Sequence, residues 1–255
     1  MKMLKIENTE VIGWEAAVRG MRNPMNSWEK SDSGWTTDGI GNNDILVDSD
    51  FDGYYELKVG PADQKLMRNL RNAGTDHRKF MRMITVYLDI TAPLYWWKEF
   101  DTYKVGTVAN SCSTMHKIAA KEFTLDDFSH EYLFKEDDIG GMYYSATAEE
   151  EFTSTDVLKV VIEALNTYRK TYMAVKADTE SDYDHMSKEY WWQMIQLLPS
   201  SYNQKRTLML NYEVLANMYK SRRNHKLDEW HTFCDWVESL PYSELITGAE
   251  VKSDV

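Results

Sequence analysis

The chain has 255 residues, of which 29 are Lys or Arg and 41 are Asp or Glu, so its formal net charge is −12 at pH 7. This length is ample for a hydrophobic core that needs no disulfide or metal to stabilise it. The acidic balance opposes binding to a phosphate backbone, which excludes broad nucleic-acid binding but permits a local basic pocket for one small anion. We expect a single domain over residues 1–255.

Cysteine use and hydropathy predict the compartment. The longest apolar runs, such as Ile84–Leu88 and Met194–Leu198, are far shorter than the roughly 20 residues that cross a bilayer. Glu7 interrupts the start of the chain before the core of a signal peptide can form, so we expect no export and no membrane anchor. Cys112 and Cys234 lie far apart without a CxxC motif, which disfavours a structural zinc site. We therefore expect a cytoplasmic protein without a bound metal.

The first third of the chain predicts two helices separated by a polar loop. Apolar residues recur at helical spacing over residues 9–22. Residues 27–60 are rich in Ser, Asp, Asn and Gly, which is the composition of a long surface loop, and their aspartates lack the EF-hand spacing that would indicate calcium. Pro61 then begins a helix for which Gly74 is a stop signal.

The middle of the chain contains the clearest strand. Residues 82–90 alternate between apolar and polar side chains, which is the period-two pattern of a strand, and Pro93 begins a helix that reaches about Lys104. The stretch 122–151 is acidic and loop-like, and we interpret it as a solvated insertion. After it, the Thr155-Asp156 pair is positioned to cap a long amphipathic helix.

The last third predicts three helices, over about 188–198, 205–223 and 227–239. Helices therefore outnumber strands, and the predicted fold is α+β, with a small antiparallel sheet packed with long helices. In the second of these helices Asn211 and Arg222 lie eleven residues apart, which is about 16 Å along a helix axis. Such a face fits an elongated ligand, although both side chains can instead be satisfied at a helix interface.

The segment from Leu198 to Arg222 resembles the C-terminal signature of the flavin-dependent thymidylate synthases. A Leu-Pro pair is followed, at the spacing of that family, by Asn211, by Asn217 six residues later and by Arg222 eleven residues later. His77-Arg78-Lys79-Phe80 is similar to the His-x-x-Phe entry to a strand in the family, and Asn110-Ser111-Cys112-Ser113 is similar to the end of its signature motif.

Several departures from the family pattern remove positive charge. Tyr103-Lys104-Val105 stands where the family has Arg-His-Arg, and Glu213 stands where it has an arginine between the two asparagines. Flavin and nucleotide phosphates are usually neutralised by arginine. The basic residues that can substitute are Arg78, Lys79, Arg82, Lys98 and Lys104.

The resemblance implies a homotetrameric flavoenzyme with active sites between subunits. Its implied reaction is the FAD-dependent reductive methylation of deoxyuridine monophosphate (dUMP), a methyltransferase activity that uses methylenetetrahydrofolate as carbon donor and NADPH as reductant. The residues that the resemblance assigns to the flavin are His77, Asn211, Asn217 and Lys104. It assigns the catalytic positions at the pyrimidine nucleotide to Arg222, which holds and polarises the base, and to Ser113 beside it.

Two other functions stay open. The missing Arg-His-Arg favours a catalytically diverged nucleotide- or flavin-binding homologue, and the aromatic surplus together with the acidic 122–151 stretch favours a non-enzymatic oligomeric interaction protein on the same fold. Ser113 and His116 are a weak signal for nucleophilic catalysis, because no orienting acid accompanies them. His225 and His231 lack the spacing of a zinc motif.

Overall fold

The computed structural model describes residues 4–36, 45–47, 54–138, 140–145, 147, 149–178 and 184–249. The chain forms two compact units. We call the first the sheet unit; it comprises Leu4–Ile90, Phe100–Asn110 and Arg206–Val255. We call the second the helical unit; it comprises Thr91–Glu99 and Ser111–Lys205. That the whole chain acts as one domain stays a prediction.

Helices and small sheets alternate along the chain. The described strands are β1 (Lys5–Ile12), β2 (Gly34–Thr36), β3 (Ile45–Val47), β4 (Tyr54–Lys58), β5 (Thr85–Pro93), β6 (Val108–Ser111), β7 (Met142–Ser145), β8 (Glu150–Thr153) and β9 (Asn203–Asn211). The described helices are α1 (Trp14–Arg22), α2 (Pro61–Asn72), α3 (Leu94–Phe100), α4 (Thr114–Lys117), α5 (Ser154–Ala177), α6 (Asp184–Leu197), α7 (Tyr212–Arg222), α8 (Asp228–Glu238) and α9 (Glu244–Thr247). This architecture confirms the predicted α+β class.

Three sheets are formed by these strands. The largest has four strands in the order β1-β5-β9-β6, the second has the order β2-β4-β3, and the third is the pair β7-β8. Strands β2 and β3 both pair antiparallel with β4, and β7 pairs antiparallel with β8. None of the described helices is long and apolar enough to cross a lipid bilayer.

The alternation predicted for residues 82–90 is confirmed in β5, but the strand begins at Thr85 rather than at residue 82, because Arg78–Arg82 forms a short 3₁₀ helix. The apolar side chains of the alternating run are no more than 1% exposed: Ile84 just before the strand, and Val86, Leu88 and Ile90 within it. On the other face Asp89 accepts hydrogen bonds from Nδ2 of Asn8 at 2.8 Å and from Oγ1 of Thr207 at 2.6 Å. One carboxylate therefore links β5 to β1 on one side and to β9 on the other.

Aromatic side chains fill the core of the sheet unit. The Trp14 ring meets the Tyr212 ring edge to face, with centroids 5.3 Å apart, and Phe100 stacks on Trp230 at 6.5 Å. The Tyr212 hydroxyl donates to the Pro241 carbonyl at 2.6 Å, so its polar end is satisfied. These buried rings therefore contribute to packing, as buried aromatic residues usually do.

The helix predicted over residues 9–22 is wrong at its start. Strand β1 runs to Ile12, and Gly13, with φ 98°, then turns the chain into α1. A Cβ on Gly13 would lie 2.1 Å from the Met83 carbonyl oxygen, so only glycine fits this junction. The polar, glycine-containing sequence obscured a strand that the neighbouring β5 stabilises.

The long loop predicted over residues 27–60 is wrong in part, because β2, β3 and β4 lie within it. Trp35 on β2 pairs with Leu57 on β4, and such long-range pairing gives polar sequences a strand structure that local composition does not indicate. The Asn- and Asp-rich segments 37–44 and 48–53 lie outside the described residues.

The helix predicted over residues 205–223 is also wrong in its first half. Strand β9 continues to Asn211, and α7 begins at Tyr212. Leu208 and Leu210 are both buried, and this two-residue spacing is typical of a strand. The three- and four-residue spacing of the side chains from Leu208 to Leu215 fits a helix equally well, so the sequence pattern is ambiguous here. In the same way, the helix predicted from Pro93 to about Lys104 ends at Phe100.

The helical unit packs α5 against α6. Its buried core contains Ile118, Phe123, Phe128, Leu158, Ile162, Leu165 and Met194. The N-cap of α5 is Thr153, whose Oγ1 accepts from the Asp156 backbone N–H at 3.2 Å, while Asp156 accepts from the Thr153 backbone N–H at 3.1 Å. Asp156 therefore takes part in capping the helix, as predicted. Thr155 does not: it is buried, and Thr153 is the N-cap residue.

The stretch 122–151 is only partly loop-like. Phe123 and Phe128 are buried in the core of the helical unit, and β7 and the start of β8 form a hairpin within the stretch. Its acidic side chains therefore belong to a segment that is anchored by two aromatic rings rather than solvated along its whole length.

Candidate functional site

The candidate site of the sheet unit surrounds the first turn of α7. Asn211, the last residue of β9, has an extended backbone, and its Oδ1 accepts a hydrogen bond from the Val214 backbone N–H at 3.0 Å. Asn211 is therefore the N-cap of α7 and satisfies one of the donors that a helix leaves open at its start. The amide oxygen of this predicted flavin residue has a structural role.

The loop that carries Lys104 lies against this cap. Gly106 has a left-handed φ of 78°, and a Cβ there would lie 2.9 Å from both Nδ2 of Asn211 and Cγ2 of Val214. Glycine is required for this close approach. Lys104, two residues earlier, is exposed, so the predicted flavin residue that replaces part of the Arg-His-Arg signature has its ammonium group accessible to ligands.

Glu213, in the first turn of α7, is a buried carboxylate held by two arginines. Its side chain is 7% exposed; Oε1 accepts from Nε of Arg78 at 3.3 Å, and Oε2 accepts from Nε of Arg82. Burial alone raises the pKa of Glu213, but the hydrogen bonds and charges of Arg82 and Arg78 outweigh burial and hold this pKa below its ordinary value. The carboxylate is therefore ionised at neutral pH.

Arg78 links Glu213 to Asn217, one turn further along α7. Nη2 of Arg78 donates to Oδ1 of Asn217 at 3.2 Å. His77 directly precedes Arg78; its side chain is exposed, and its backbone N–H donates to the Gly74 carbonyl at 3.1 Å. His77 and Asn217, both assigned to the flavin by resemblance, therefore both lie next to Arg78: His77 precedes it in the chain, and Asn217 accepts its hydrogen bond.

Arg222 lies at the other end of α7, between two aromatic rings. Its Nε donates to the Tyr103 hydroxyl at 2.9 Å, and its Cζ lies 4.8 Å from the centre of the Trp230 ring and 5.4 Å from that of Tyr103. These are cation–π distances. Tyr103 stands where the family has an arginine, so this departure from the family pattern directly contacts Arg222.

Ser113 belongs to the helical unit, and it caps α4. Its Oγ accepts from the His116 backbone N–H at 3.1 Å and lies 2.8 Å from Nδ1 of the His116 ring. This geometry is that of a local helix cap. It explains the proximity of Ser113 and His116 without a catalytic pair.

A cavity of about 230 Å³ opens beside Ser113. Three lysines line it, Lys117, Lys121 and Lys205, together with the Cys112, Ser113 and Thr114 segment. Lys121 also pairs with Asp127, so part of its charge is compensated. Lysine and hydroxyl side chains of the kind that bind small anions thus line this cavity, which the net charge of −12 for the whole chain does not reveal.

A second cavity, of about 290 Å³, lies in the sheet unit, and the sequence patterns do not predict it. Its walls include Trp28 and Trp35, and one side is bounded by Arg22. Arg22 donates from Nε to the buried Asp63 at 2.6 Å, which fixes the guanidinium in place. The sequence signal was the Ser- and Asp-rich segment after residue 27, whose side chains hydrogen-bond Asp63.

The arginine pairing of Glu213 could not be read from the sequence, because Arg82 precedes Glu213 by 131 positions. The sequence offers Arg78 and Arg82 as substitutes for lost positive charge, and it has Glu213 where the resembled family has an arginine. The structure shows that these changes meet at one ion-pair cluster. Among the residues that the structure describes, no group of three or more His, Cys, Asp or Glu side chains is placed to hold a metal ion.

Comparison with solved structures identifies the class of fold. No protein-family model and no curated protein matches the chain. The fold is that of the flavin-dependent thymidylate synthases. Two structures of flavin-dependent thymidylate synthase ThyX from Helicobacter pylori, both with FAD and dUMP, align with TM-scores of 0.55 and 0.54. Each alignment has 16% sequence identity and covers 94% of this chain and 98% of the other.

Proposed function

We propose that this protein is a flavoprotein of the thymidylate synthase type that reductively methylates dUMP or a related pyrimidine nucleotide. The observation that carries the proposal is the likeness of fold, over 94% of the chain, to an enzyme whose structures hold FAD and dUMP. The proposal includes a cytoplasmic homotetramer, with methylenetetrahydrofolate and NADPH as co-substrates.

The residues around the start of α7 fit the chemistry of FAD. The diphosphate and the ring carbonyl oxygens of FAD are hydrogen-bond acceptors, and Arg82, whose side chain is 54% exposed, offers N–H donors. His77, Lys104 and Asn217 are also exposed. Bound FAD supplies hydride-transfer chemistry, whereas these side chains bind the flavin, orient it and balance its charge.

The lysine-lined cavity beside Ser113 fits the phosphate of a nucleotide. A phosphate monoester carries up to two negative charges, and the basic residues Lys117 and Lys205 line the cavity. In this proposal Ser113 donates its hydroxyl hydrogen to the phosphate. The proposal assigns Arg222 to the pyrimidine, where its positive charge favours negative charge on the base oxygen that it contacts.

A diverged binding protein is the second candidate. Glu213 neutralises part of the charge of Arg78 and Arg82, and Tyr103 and Trp230 already contact Arg222. Both features weaken the binding of anions relative to a site with unpaired arginines. This protein would bind flavin or nucleotide without methyl transfer.

A non-enzymatic oligomeric protein is the third candidate. Several aromatic side chains are exposed in the helical unit between residues 132 and 144: Tyr132, Phe134, Tyr143 and Tyr144. Clustered exposed aromatic residues mark interaction surfaces. A stable oligomer that binds neither flavin nor nucleotide would favour this reading.

The test is a direct assay of methyl transfer. Purified protein is incubated with FAD, methylenetetrahydrofolate, NADPH and dUMP, and the methylated nucleotide is measured by mass spectrometry. We expect turnover by the wild type and its loss in Arg222→Ala. The control is Arg223→Ala, which removes the neighbouring arginine and its ion pairs with Asp235 and Glu238 and should retain turnover. Circular dichroism verifies that both variants fold.

Full activity of a folded Arg222→Ala variant would remove the assignment of Arg222. Binding of FAD and dUMP by the wild type without methylated product would select the diverged binding protein.

A further inference from the structure

The contact between Arg78 and Asn217 fixes the direction of the Asn217 amide. An arginine side chain carries only N–H donors, so the Asn217 atom that it meets at 3.2 Å is the acceptor Oδ1. The two N–H groups of Nδ2 are on the other branch of the amide. Because Asn217 is exposed, a ligand that approaches it from solvent meets donors.

Glu213 holds Arg78 in this position. Nε of Arg78 donates to Oε1 of Glu213, while Oε2 accepts from Nε of Arg82, so both carboxylate oxygens are engaged. The Glu213 side chain is 7% exposed and sits in the first turn of α7, where backbone and packing restrict its movement. Arg78 therefore donates both hydrogen bonds of this network, and Glu213 and Asn217 can only accept from it.

We propose that Glu213 is a specificity-determining positioning residue: acting through Arg78, it fixes Asn217 as a hydrogen-bond donor, so the ligand group bound there is an oxygen acceptor. This inference rests on the proposed flavin site, where a ring carbonyl and the diphosphate are the two sources of such an oxygen. A ligand that presents an N–H group at Asn217 is disfavoured, because one of two facing donors stays unpaired.

The donor role of Asn217 is tested with Asn217→Asp. An aspartate keeps an acceptor for Arg78 but has no donor for the ligand. The control is Asn72→Asp, which adds the same charge at a second exposed asparagine whose Oδ1 accepts from an arginine, Nη1 of Arg71, at 3.1 Å. The probes are riboflavin, which has the ring carbonyls without phosphate, and inorganic pyrophosphate, which has phosphate without the ring.

We expect Asn217→Asp to weaken binding of at least one probe about tenfold, and Asn72→Asp to change it less than about twofold. Weakened riboflavin binding identifies a ring carbonyl as the acceptor, and weakened pyrophosphate binding identifies a phosphate. If Asn217→Asp binds both probes as tightly as the wild type, the inference is overturned.

The positioning role of Glu213 is tested without ligand. The side-chain amide signals of Asn217 are identified in ¹H–¹⁵N spectra by their absence in Asn217→Asp. We expect these signals to shift in Glu213→Gln and to stay in place in Glu238→Gln. Glu238 is the matched control because it also pairs with an arginine, Arg223, at 3.3 Å. Unshifted signals in a folded Glu213→Gln variant would show that Asn217 is oriented without Glu213.

FAD binding to the wild type separates this inference from the proposed function. If the wild type binds neither FAD nor riboflavin, the proposed function fails, while the amide signals and pyrophosphate still test the hydrogen-bond direction. If the wild type binds FAD and the Glu213→Gln and Asn217→Asp variants behave like their controls, the inference fails and the proposed function stands.

Discussion

Two buried carboxylates of the sheet unit are paired with arginine, and they differ in what surrounds the pair. Asp63 is 0% exposed, and the Arg22 side chain bound to it is 6% exposed. The Ser31 and Ser33 hydroxyls donate to the same Asp63 oxygen at 2.6 and 2.7 Å. Every one of these contacts lies within the unit. The network therefore joins α1, α2 and the segment before β2 and has the character of a structural pair.

Glu213 is almost as buried, but its arginine partners extend to the surface. The Arg82 side chain is 54% exposed. Arg78 donates a second hydrogen bond, from Nη2, to the exposed Asn217. The same ion-pair chemistry thus stabilises a closed network in one place and orients surface donors in the other. The exposure of the arginine partners, rather than the burial of the carboxylate, therefore distinguishes a structural ion pair from a candidate binding site.

The largest effect should come from breaking the closed network. We expect Asp63→Asn to lower the free energy of unfolding by about 3–5 kcal/mol, because Arg22 is left as a buried charge without its carboxylate. Urea denaturation measures the change. Asp235→Asn is the control; Asp235 also pairs with an arginine, Arg223, but is 66% exposed, so its loss should be nearly neutral. Equal effects of the two variants would contradict the structural role of Asp63.

A charge reversal should sharpen the role of the Glu213 pair. We expect Glu213→Arg to destabilise the fold by about 3 kcal/mol, because it puts three arginines together at a largely buried position. Adding Arg82→Glu should restore at least about 1 kcal/mol, since an ion pair of opposite polarity then forms. Chemical denaturation of the two single variants and the double variant gives the coupling energy. Additive effects would show that Glu213 and Arg82 do not interact in solution.

Lowering the pH should reduce the stability that both ion pairs contribute, and this loss should be small near neutral pH. Burial acts to raise the pKa values of Asp63 and Glu213, but hydrogen bonds from Ser31, Ser33 and Arg22 in the first case, and from the paired arginines in the second, lower them overall. The unfolded chain therefore takes up protons first as the pH falls.

Stability from these carboxylates is fully present above their unfolded pKa values, near pH 4, and is lost as the pH falls through the lower folded values. Urea denaturation from pH 6 to pH 3 should show this loss in the wild type and a shallower slope in a folded Asp63→Asn variant. Identical slopes would mean that Asp63 is not ionised in the folded protein.

The sequence predicts elements whose signal is local. The alternation in β5 and the start of α2 at Pro61 are correct, because side-chain period and proline geometry act within a few residues. The first half of the predicted helix over 205–223 is wrong because residues up to Asn211 pair in a sheet with strands distant in sequence. Sheet pairing is a long-range property that short windows do not contain.

The candidate site follows the same division. The motif spacing located Asn211, Asn217 and Arg222 on one segment, and the structure places them at the start, middle and end of α7. The spacing could not show that Asn211 caps the helix or that Arg222 lies between Tyr103 and Trp230. Those contacts depend on chain segments that meet only after folding, so their physical roles became visible in the structure.

The most direct test of the central claim is an absorption spectrum of the purified protein with added FAD, followed by titration with dUMP. The account predicts that flavin stays with the protein through gel filtration and that its visible bands shift as dUMP binds. A protein that retains no flavin at saturating FAD would contradict the claim, and it would mean that this fold no longer serves flavin chemistry in this chain.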